Sequence, residues 1–219
     1  MVSSPERIKQ QLGEIDTGLN LRDSYNIAPT QHAYVITNEQ PQRLEYFIWG
    51  LIPHWSKDDK NASKLINARA EGIVTKPSFR VPIRQRRCLV LADSFYEWRN
   101  EGGQKVPYRI LLKNGQLMLM AGIWDVWYKE GYAIKTFSII TTDANKEVAP
   151  LHNRMPLILP KRAQQERWLG PLSIEAVEEM LQRPPDGILD KYQVSSKVNS
   201  VTNNAPELHE RIGTQPTLF

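Results

Sequence analysis

Residues 108–124 read Tyr108-Arg109-Ile110-Leu111-Leu112-Lys113-Asn114-Gly115-Gln116-Leu117-Met118-Leu119-Met120-Ala121-Gly122-Ile123-Trp124, two apolar runs joined by a short polar turn. Tyr108–Leu112 and Leu117–Trp124 have the composition of strands, and Asn114-Gly115 is a turn pair, so the stretch predicts a β-hairpin. Working outward, similar short runs occur at Ala33–Thr37, Arg43–Trp49, Arg87–Ser94 and Thr136–Thr142. Arg43–Trp49 partly alternates between polar and apolar residues, as a half-buried strand does. Asn26-Ile27-Ala28-Pro29-Thr30 reads as a turn, because Pro29 pushes Ala28 away from helical geometry. Helices are expected toward the two ends. Ser3 and Ser4 precede Pro5-Glu6 as a helix start, with Ile8, Leu12 and Ile15 on one face. Lys161–Leu169 and Ser173–Gln182 read as two more, the second stopped by Pro184-Pro185. No composition shift or repeat divides residues 1–219, so the pattern predicts one α+β domain.

Composition narrows the class. With 219 residues, 41% hydrophobic and 24% charged, the chain has an ordinary globular balance and enough length for a substantial core. Apolar runs such as Leu117–Trp124 fall far short of the roughly 20 residues a membrane helix needs. The start, Met1-Val2-Ser3-Ser4-Pro5-Glu6, lacks the pattern of a signal peptide. A single cysteine, Cys88, leaves no internal disulfide framework and suits a reducing cytoplasm. The net charge of +4 is uneven: residues 171–219 carry four basic and seven acidic side chains, and residues 1–170 carry 24 and 17. A basic body with an acidic tail suits a polyanionic partner, and it is also a common imbalance in soluble proteins.

Four clusters set polar residues among apolar ones. Trp49-Gly50-Leu51-Ile52-Pro53-His54-Trp55 offers two rings that either stack on unpaired bases or fill the core. In Leu65-Ile66-Asn67-Ala68-Arg69-Ala70-Glu71, Asn67 and Arg69 share a face if the segment is extended. That pairs an amide with a phosphate-binding guanidinium; the alternative is a loop in which Arg69 bridges to Glu71. Ala92-Asp93-Ser94-Phe95-Tyr96-Glu97-Trp98 puts Glu97 among rings, an environment that raises a carboxylate pKa and suits acid/base work, unless it is simply a surface residue. In Pro150-Leu151-His152-Asn153-Arg154-Met155-Pro156, His152 is either a general acid/base or a structural histidine. The four histidines show no metal-ligand spacing, and no phosphate-cradling glycine loop is present, so neither metal nor cofactor is expected.

The order and wording of the segments carry more than any one of them. Asn26-Ile27-Ala28-Pro29, Trp49-Gly50-Leu51-Ile52-Pro53, Ile66-Asn67-Ala68-Arg69-Ala70-Glu71, Phe95-Tyr96-Glu97-Trp98 and His152-Asn153-Arg154-Met155-Pro156 resemble successive signatures of the SOS-response-associated peptidase family. Gln193-Val194-Ser195-Ser196-Lys197-Val198-Asn199 resembles that family's closing strand, and the resemblance runs from residue 3 to residue 210.

The resemblance implies a curved, largely antiparallel sheet or barrel-like core with peripheral helices. It also implies a monomeric protein that senses abasic sites in single-stranded DNA and shields them by a covalent crosslink. Such a protein acts in the cytoplasm, on the nucleoid when bound to DNA. The family's nucleophile is a cysteine directly after the initiator methionine: its amine forms a Schiff base with the sugar aldehyde and its thiol closes a thiazolidine. By resemblance Asn67, Glu97 and His152 are the catalytic residues. Pro29, Trp55, Arg69, Thr141 and Arg154 are expected to bind DNA. The family opens Met-Cys-Gly-Arg-Phe; here Ser4-Pro5-Glu6 resembles the stretch after that opening, so roughly six residues are expected to be missing. Cys88, mid-chain in an apolar run, does not match the nucleophile's position. A non-catalytic single-stranded-DNA binder and a peptidase limited to removing its own initiator methionine are the alternative functions.

Overall fold

Strands covered on both faces read as unbroken apolar runs, and two such runs build the centre of this protein. The computed structural model describes residues 1–18 and 20–213. In chain order its elements are α1 (Pro5–Leu12), β1 (His32–Thr37), β2 (Glu45–Trp49), β3 (Asn67–Arg69), α2 (Pro82–Gln85), β4 (Arg87–Ala92) and β5 (Ser94–Glu101). There follow β6 (Gln104–Leu112), β7 (Met118–Lys129), β8 (Tyr132–Asp143), β9 (Arg154–Pro156), α3 (Arg162–Leu169), α4 (Ile174–Met180) and β10 (Leu189–Gln193). Short 3-10 turns occupy Ala62–Lys64, Ser196–Asn199 and Pro206–His209. The last residues of the expected 1–219 domain, 214–219, lie outside the described residues.

The strands β2-β1-β4-β7-β8 form a sheet that closes on itself, because β8 also pairs in parallel with β2 at Ile48↔Thr136 and Trp49↔Phe137. All other neighbours around this five-strand barrel are antiparallel. One face of the strands, including Ile36, Leu89, Leu119 and Ile140, packs against Ile8, Ile83, Trp168 and Val177 of the four helices. The opposite face, with Val35, Phe47, Val90, Met120, Trp124 and Phe137, therefore turns inward. A second sheet, β10-β6-β5, packs onto that inner cluster through Ile110, Leu112 and Leu189. The α+β class with a curved, largely antiparallel barrel core is thus the fold that forms.

The first helix starts where expected but stops at Leu12, so Ile15 lies beyond it. Ser4 accepts a hydrogen bond from the Arg7 amide at 3.3 Å, Pro5 opens the helix, and Gly13 closes it at φ 81°. The helix over Ser173–Gln182 is shorter, Ile174–Met180, again with a serine cap. Arg87, almost fully buried, donates to the carbonyls of Trp168 and Gly170 and so ties the end of α3 to β4.

Two expectations fail. Tyr108–Leu112 and Leu117–Trp124 do not form a hairpin: β6 lies in the small sheet and β7 in the barrel. Both edges of each are taken by other strands, and the turn 113–116 is a crossing between sheets. The hairpins are β5–β6 and β7–β8, whose two-residue loops both have positive φ: Gly102 and Gly103 at 58° and 88°, Glu130 and Gly131 at 51° and 85°. Positive φ at both loop positions matches strand twist, whereas at the 113–116 turn only Gly115 adopts it. The closing strand is also misplaced: it spans Leu189–Gln193, and Ser196–Asn199 is a 3-10 turn capped by Ser195.

Candidate functional site

The site is built around the end of β8. Thr141 is partnered on one edge by Arg69 of β3 and on the other by Pro156 of β9. That brings Asn67 and the His152–Arg154 segment to one rim of the barrel. The third contributor is β5, which leaves the end of β4 after Asp93 and carries Glu97 opposite Tyr108. Together they enclose a cavity of about 520 Å³. Pro29, Asn67, Glu97, Thr141, His152 and Arg154 all line it, drawn from segments 125 residues apart at the extremes.

Each polar group has a defined state. Burial along β3 alternates, so Asn67 and Arg69 point outward while Ala68 is buried. The Asn67 amide makes no hydrogen bond among the described residues, leaving donor and acceptor for a bound group. The Glu97 carboxylate accepts from the Trp98 amide at 3.0 Å. His152 Nδ1 lies 3.0 Å from the Arg154 amide and 3.2 Å from the Arg154 carbonyl oxygen, which hold the ring in place. Trp49 donates Nε1–H to Ile66 O at 2.9 Å, holding the segment before Asn67 against the cavity wall.

Arg154 is less free than its expected phosphate role requires. It donates to Glu71 at 2.9 and 2.8 Å, to Asp143 at 2.8 Å and to Thr141 O at 2.6 Å. Its hydrogen bond to Glu71 holds that carboxyl below the usual carboxylate range. Arg69 does not bridge to Glu71 and forms no salt bridge among the described residues. It and Trp55 lie outside the cavity lining; Trp55 is 57% exposed on the loop after β2. Of the two tryptophans read as wedge or core, Trp49 is half-buried and Trp55 is on the surface.

The inner wall of the cavity holds residues that the motifs did not assign. The Met1 amine lies there and donates to Ser24 O; burial lowers its pKa, and Asp93 partly opposes that effect. Asp93 accepts from the Val2 amide at 2.6 Å and from the Ser3 hydroxyl. Burial pushes the Tyr96 phenol up to about 12, and its hydroxyl donates to Tyr25 O at 2.8 Å. His209 is edge-on to Tyr25 with ring centroids 5.0 Å apart. Burial, then the charge of Arg109, lowers its pKa to about 4. Asn26 closes this end: its side-chain amide donates to Val198 O and Ser200 O, both at 3.1 Å, and to Asn203 O. Asn26 stood in a quoted motif, but nothing in its neighbours signals partners 172 to 177 residues away. Among the described residues no three His, Cys, Asp or Glu side chains group as metal ligands, and no helix is long and apolar enough to cross a membrane.

Comparison with known proteins bears on the family and the fold. The profile of the family described as "SOS response associated peptidase (SRAP)" matches residues 1–201. The abasic site processing protein YoqW of Bacillus subtilis is 44% identical over 192 residues, covering 85% of each chain. The abasic site processing protein HMCES of Gallus gallus is 35% identical over 220 residues, covering 85% of this chain and 65% of that one. A crystal structure of a protein from Bacteroides thetaiotaomicron superposes with a TM-score of 0.85 at 32% identity, covering 96% of this chain and 97% of that one. With its profile spanning nearly the whole chain and its fold matched end to end, the protein belongs to the SOS response associated peptidase family.

Proposed function

We propose that this protein binds single-stranded DNA at abasic sites and holds the lesion's sugar in the 520 Å³ cavity. The observation that carries this reading is the convergence of Asn67, Glu97 and His152 from three separate segments on that one cavity. The relatives named abasic site processing proteins support it.

In its open form an abasic sugar presents an aldehyde. A terminal amine adds to that carbon and water leaves, giving an imine. A neighbouring thiol then adds its sulfur to the imine carbon and its proton to the nitrogen, closing a thiazolidine. On this reading the Asn67 amide holds the sugar, Glu97 moves protons during ring opening and imine formation, and His152 acts on the sugar oxygen. Cys88 is not the thiol: it is fully buried, and burial raises its pKa far above that of a free thiol. The chemistry calls for a cysteine at the amino terminus. Proteolysis is limited to removal of an initiator methionine.

The exposed ring of Trp55 and the unbridged Arg69 favour a second reading, sequence-independent single-strand binding without chemistry. Titration with matched oligonucleotides, one intact and one carrying a single abasic site, separates the two. Preference for the lesion, reduced by Asn67→Ala, supports capture in the cavity. Equal affinity for both strands contradicts it.

A further inference from the structure

Outside the cavity, the convex face of β1 and β2 carries an aromatic ladder. His32 and Tyr46 are stacked with ring centroids 4.9 Å apart, and Tyr34 lies against Tyr46 at 4.7 Å. Tyr34 is buried and its hydroxyl accepts from the Arg22 amide, so it forms the base of the ladder. Tyr46, by contrast, is 45% exposed, its ring at 20° to His32 and tilted by 38° to Tyr34. Beside it, where β2 and β8 diverge below their short parallel pairing, a second depression of about 570 Å³ opens. His32, Arg43, Tyr46, Glu45 and Lys135 line it.

Its charge is positive. Glu45 is already engaged by Lys135 at 2.7 Å and by the Thr37 hydroxyl at 2.8 Å. Arg43 and Arg22 are exposed and form no salt bridge among the described residues, and Arg22 is close enough for its charge to act on the Tyr46 phenol. The ladder begins at His32, three residues along the chain from the cavity-lining Pro29. Pro29 and Trp49 line the cavity, and the Thr30 amide donates to Trp49 O at 2.8 Å while the Trp49 amide donates to Gln31 O at 2.8 Å. His32 is the next residue along, opposite Ile48.

We propose that this face is a second single-stranded nucleic-acid subsite, in which a base three or more nucleotides from the cavity-bound one stacks on the His32–Tyr46 pair while Arg22 and Arg43 hold its phosphates. The inference rests on the cavity reading for its position, and on the ladder alone for its chemistry. Exposed rings with unpaired arginines are what base stacking and backbone neutralisation require, and neither depends on sequence. The path from cavity to ladder passes Pro29, whose rigid ring turns the strand out of the cavity.

Binding of a five-nucleotide strand with a central abasic site is compared with binding of a fifteen-nucleotide strand carrying the same lesion, and of a fifteen-nucleotide intact strand. Tyr46→Ala weakens both longer strands by about tenfold and leaves the short one unchanged. Tyr46→Trp retains the affinity. Arg22→Ala with Arg43→Ala lowers the salt slope for the longer strands by about 1.4. Because Tyr46 is at the surface, an unchanged melting temperature shows that the variant is folded. Equal loss on the short strand, or no loss on the long ones, overturns the subsite. If intact and abasic strands bind alike while Tyr46→Ala still weakens both, the ladder stands and the cavity reading falls.

Discussion

Arg154 grips Glu71 with both of its terminal nitrogens, at 2.9 and 2.8 Å, and Asp143 with one of them at 2.8 Å. Two carboxylates therefore offset the charge that a phosphate would otherwise meet. Both acids are largely exposed, whereas Arg154 is mostly covered, so it is the acids that can swing away. Glu71→Gln weakens this hold, and the affinity for single-stranded DNA then falls more steeply with salt, by about 0.7 in log–log slope. Acid acts in the same direction. The Glu71 pKa lies below its ordinary value, so the pair's contribution is full above that value and is lost as pH falls through the lowered one. An unchanged slope in Glu71→Gln identifies Arg154 as a structural ion-pair partner.

Asp125 anchors the loop that presents Trp55. Fully buried on β7, it accepts from the His54 amide at 2.9 Å and the His54 ring at 3.0 Å, and it pairs with Arg86. Trp127 adds a bond to Ser56 O at 2.7 Å, and Thr136 accepts from the Ile52 amide at 2.9 Å. Asp125→Ala strips Arg86 of its partner and costs about 3–5 kcal/mol in denaturant unfolding. Trp127→Phe is milder and keeps the fold. If the loop positions Trp55 for DNA, Trp127→Phe and Trp55→Ala weaken binding by less in combination than their separate effects sum to. Additive losses show that the loop's hold on Ser56 is irrelevant to Trp55.

His209 makes stability depend on pH. Its pKa is about 4 in the folded protein against an ordinary 6.5, so between those values the unfolded chain binds the extra proton. Stability therefore falls as pH drops through that window and levels off below it. A shift of this size is at most about 3 kcal/mol, and partial exposure reduces it to about 1–2 kcal/mol. His209→Gln removes this part of the pH dependence in thermal melts. The same slope in the variant shows that another group carries it.

Gly122 is needed for packing inside the sheet. A Cβ there meets Cys88 Sγ at 2.9 Å, with Ser138 O and Val90 Cγ2 both at 3.1 Å. Gly122→Ala costs about 1–3 kcal/mol by overpacking. Adding Cys88→Ala removes the nearest atom and recovers part of that loss. If the double variant is no more stable than Gly122→Ala, the strain lies against Ser138 and Val90.

What the sequence revealed follows from which faces are buried. Arg87–Ala92 and Leu117–Trp124 stood out because helices cover one side of them and the barrel interior the other. Three-residue β3 showed only the two-residue spacing of Asn67 and Arg69, and β5 was hidden because Ser94–Glu101 has no fully buried residue. Asn114-Gly115 resembled a hairpin more than Glu130-Gly131 did, yet long-range pairing decided the outcome. At the site, contiguous motifs pointed to Asn67, Glu97 and His152. The capture of Arg154 by Glu71 and the approach of His209 depend on residues 83 and more positions apart, which no local pattern records.

The central claim, that the cavity captures an abasic sugar for covalent chemistry, is tested most directly by crosslinking. The chain beginning at Met1 and the same chain preceded by Met-Cys-Gly-Arg-Phe are incubated with single-stranded DNA carrying one abasic site, then heated in denaturant without reductant. The account predicts a surviving protein–DNA band only for the extended chain, since near-attack geometry places reacting atoms about 3–3.5 Å apart and only the added cysteine brings thiol and amine together. Asn67→Ala or Glu97→Ala in the extended chain slows its appearance. A stable band from the chain beginning at Met1, or none from the extended one, contradicts the account.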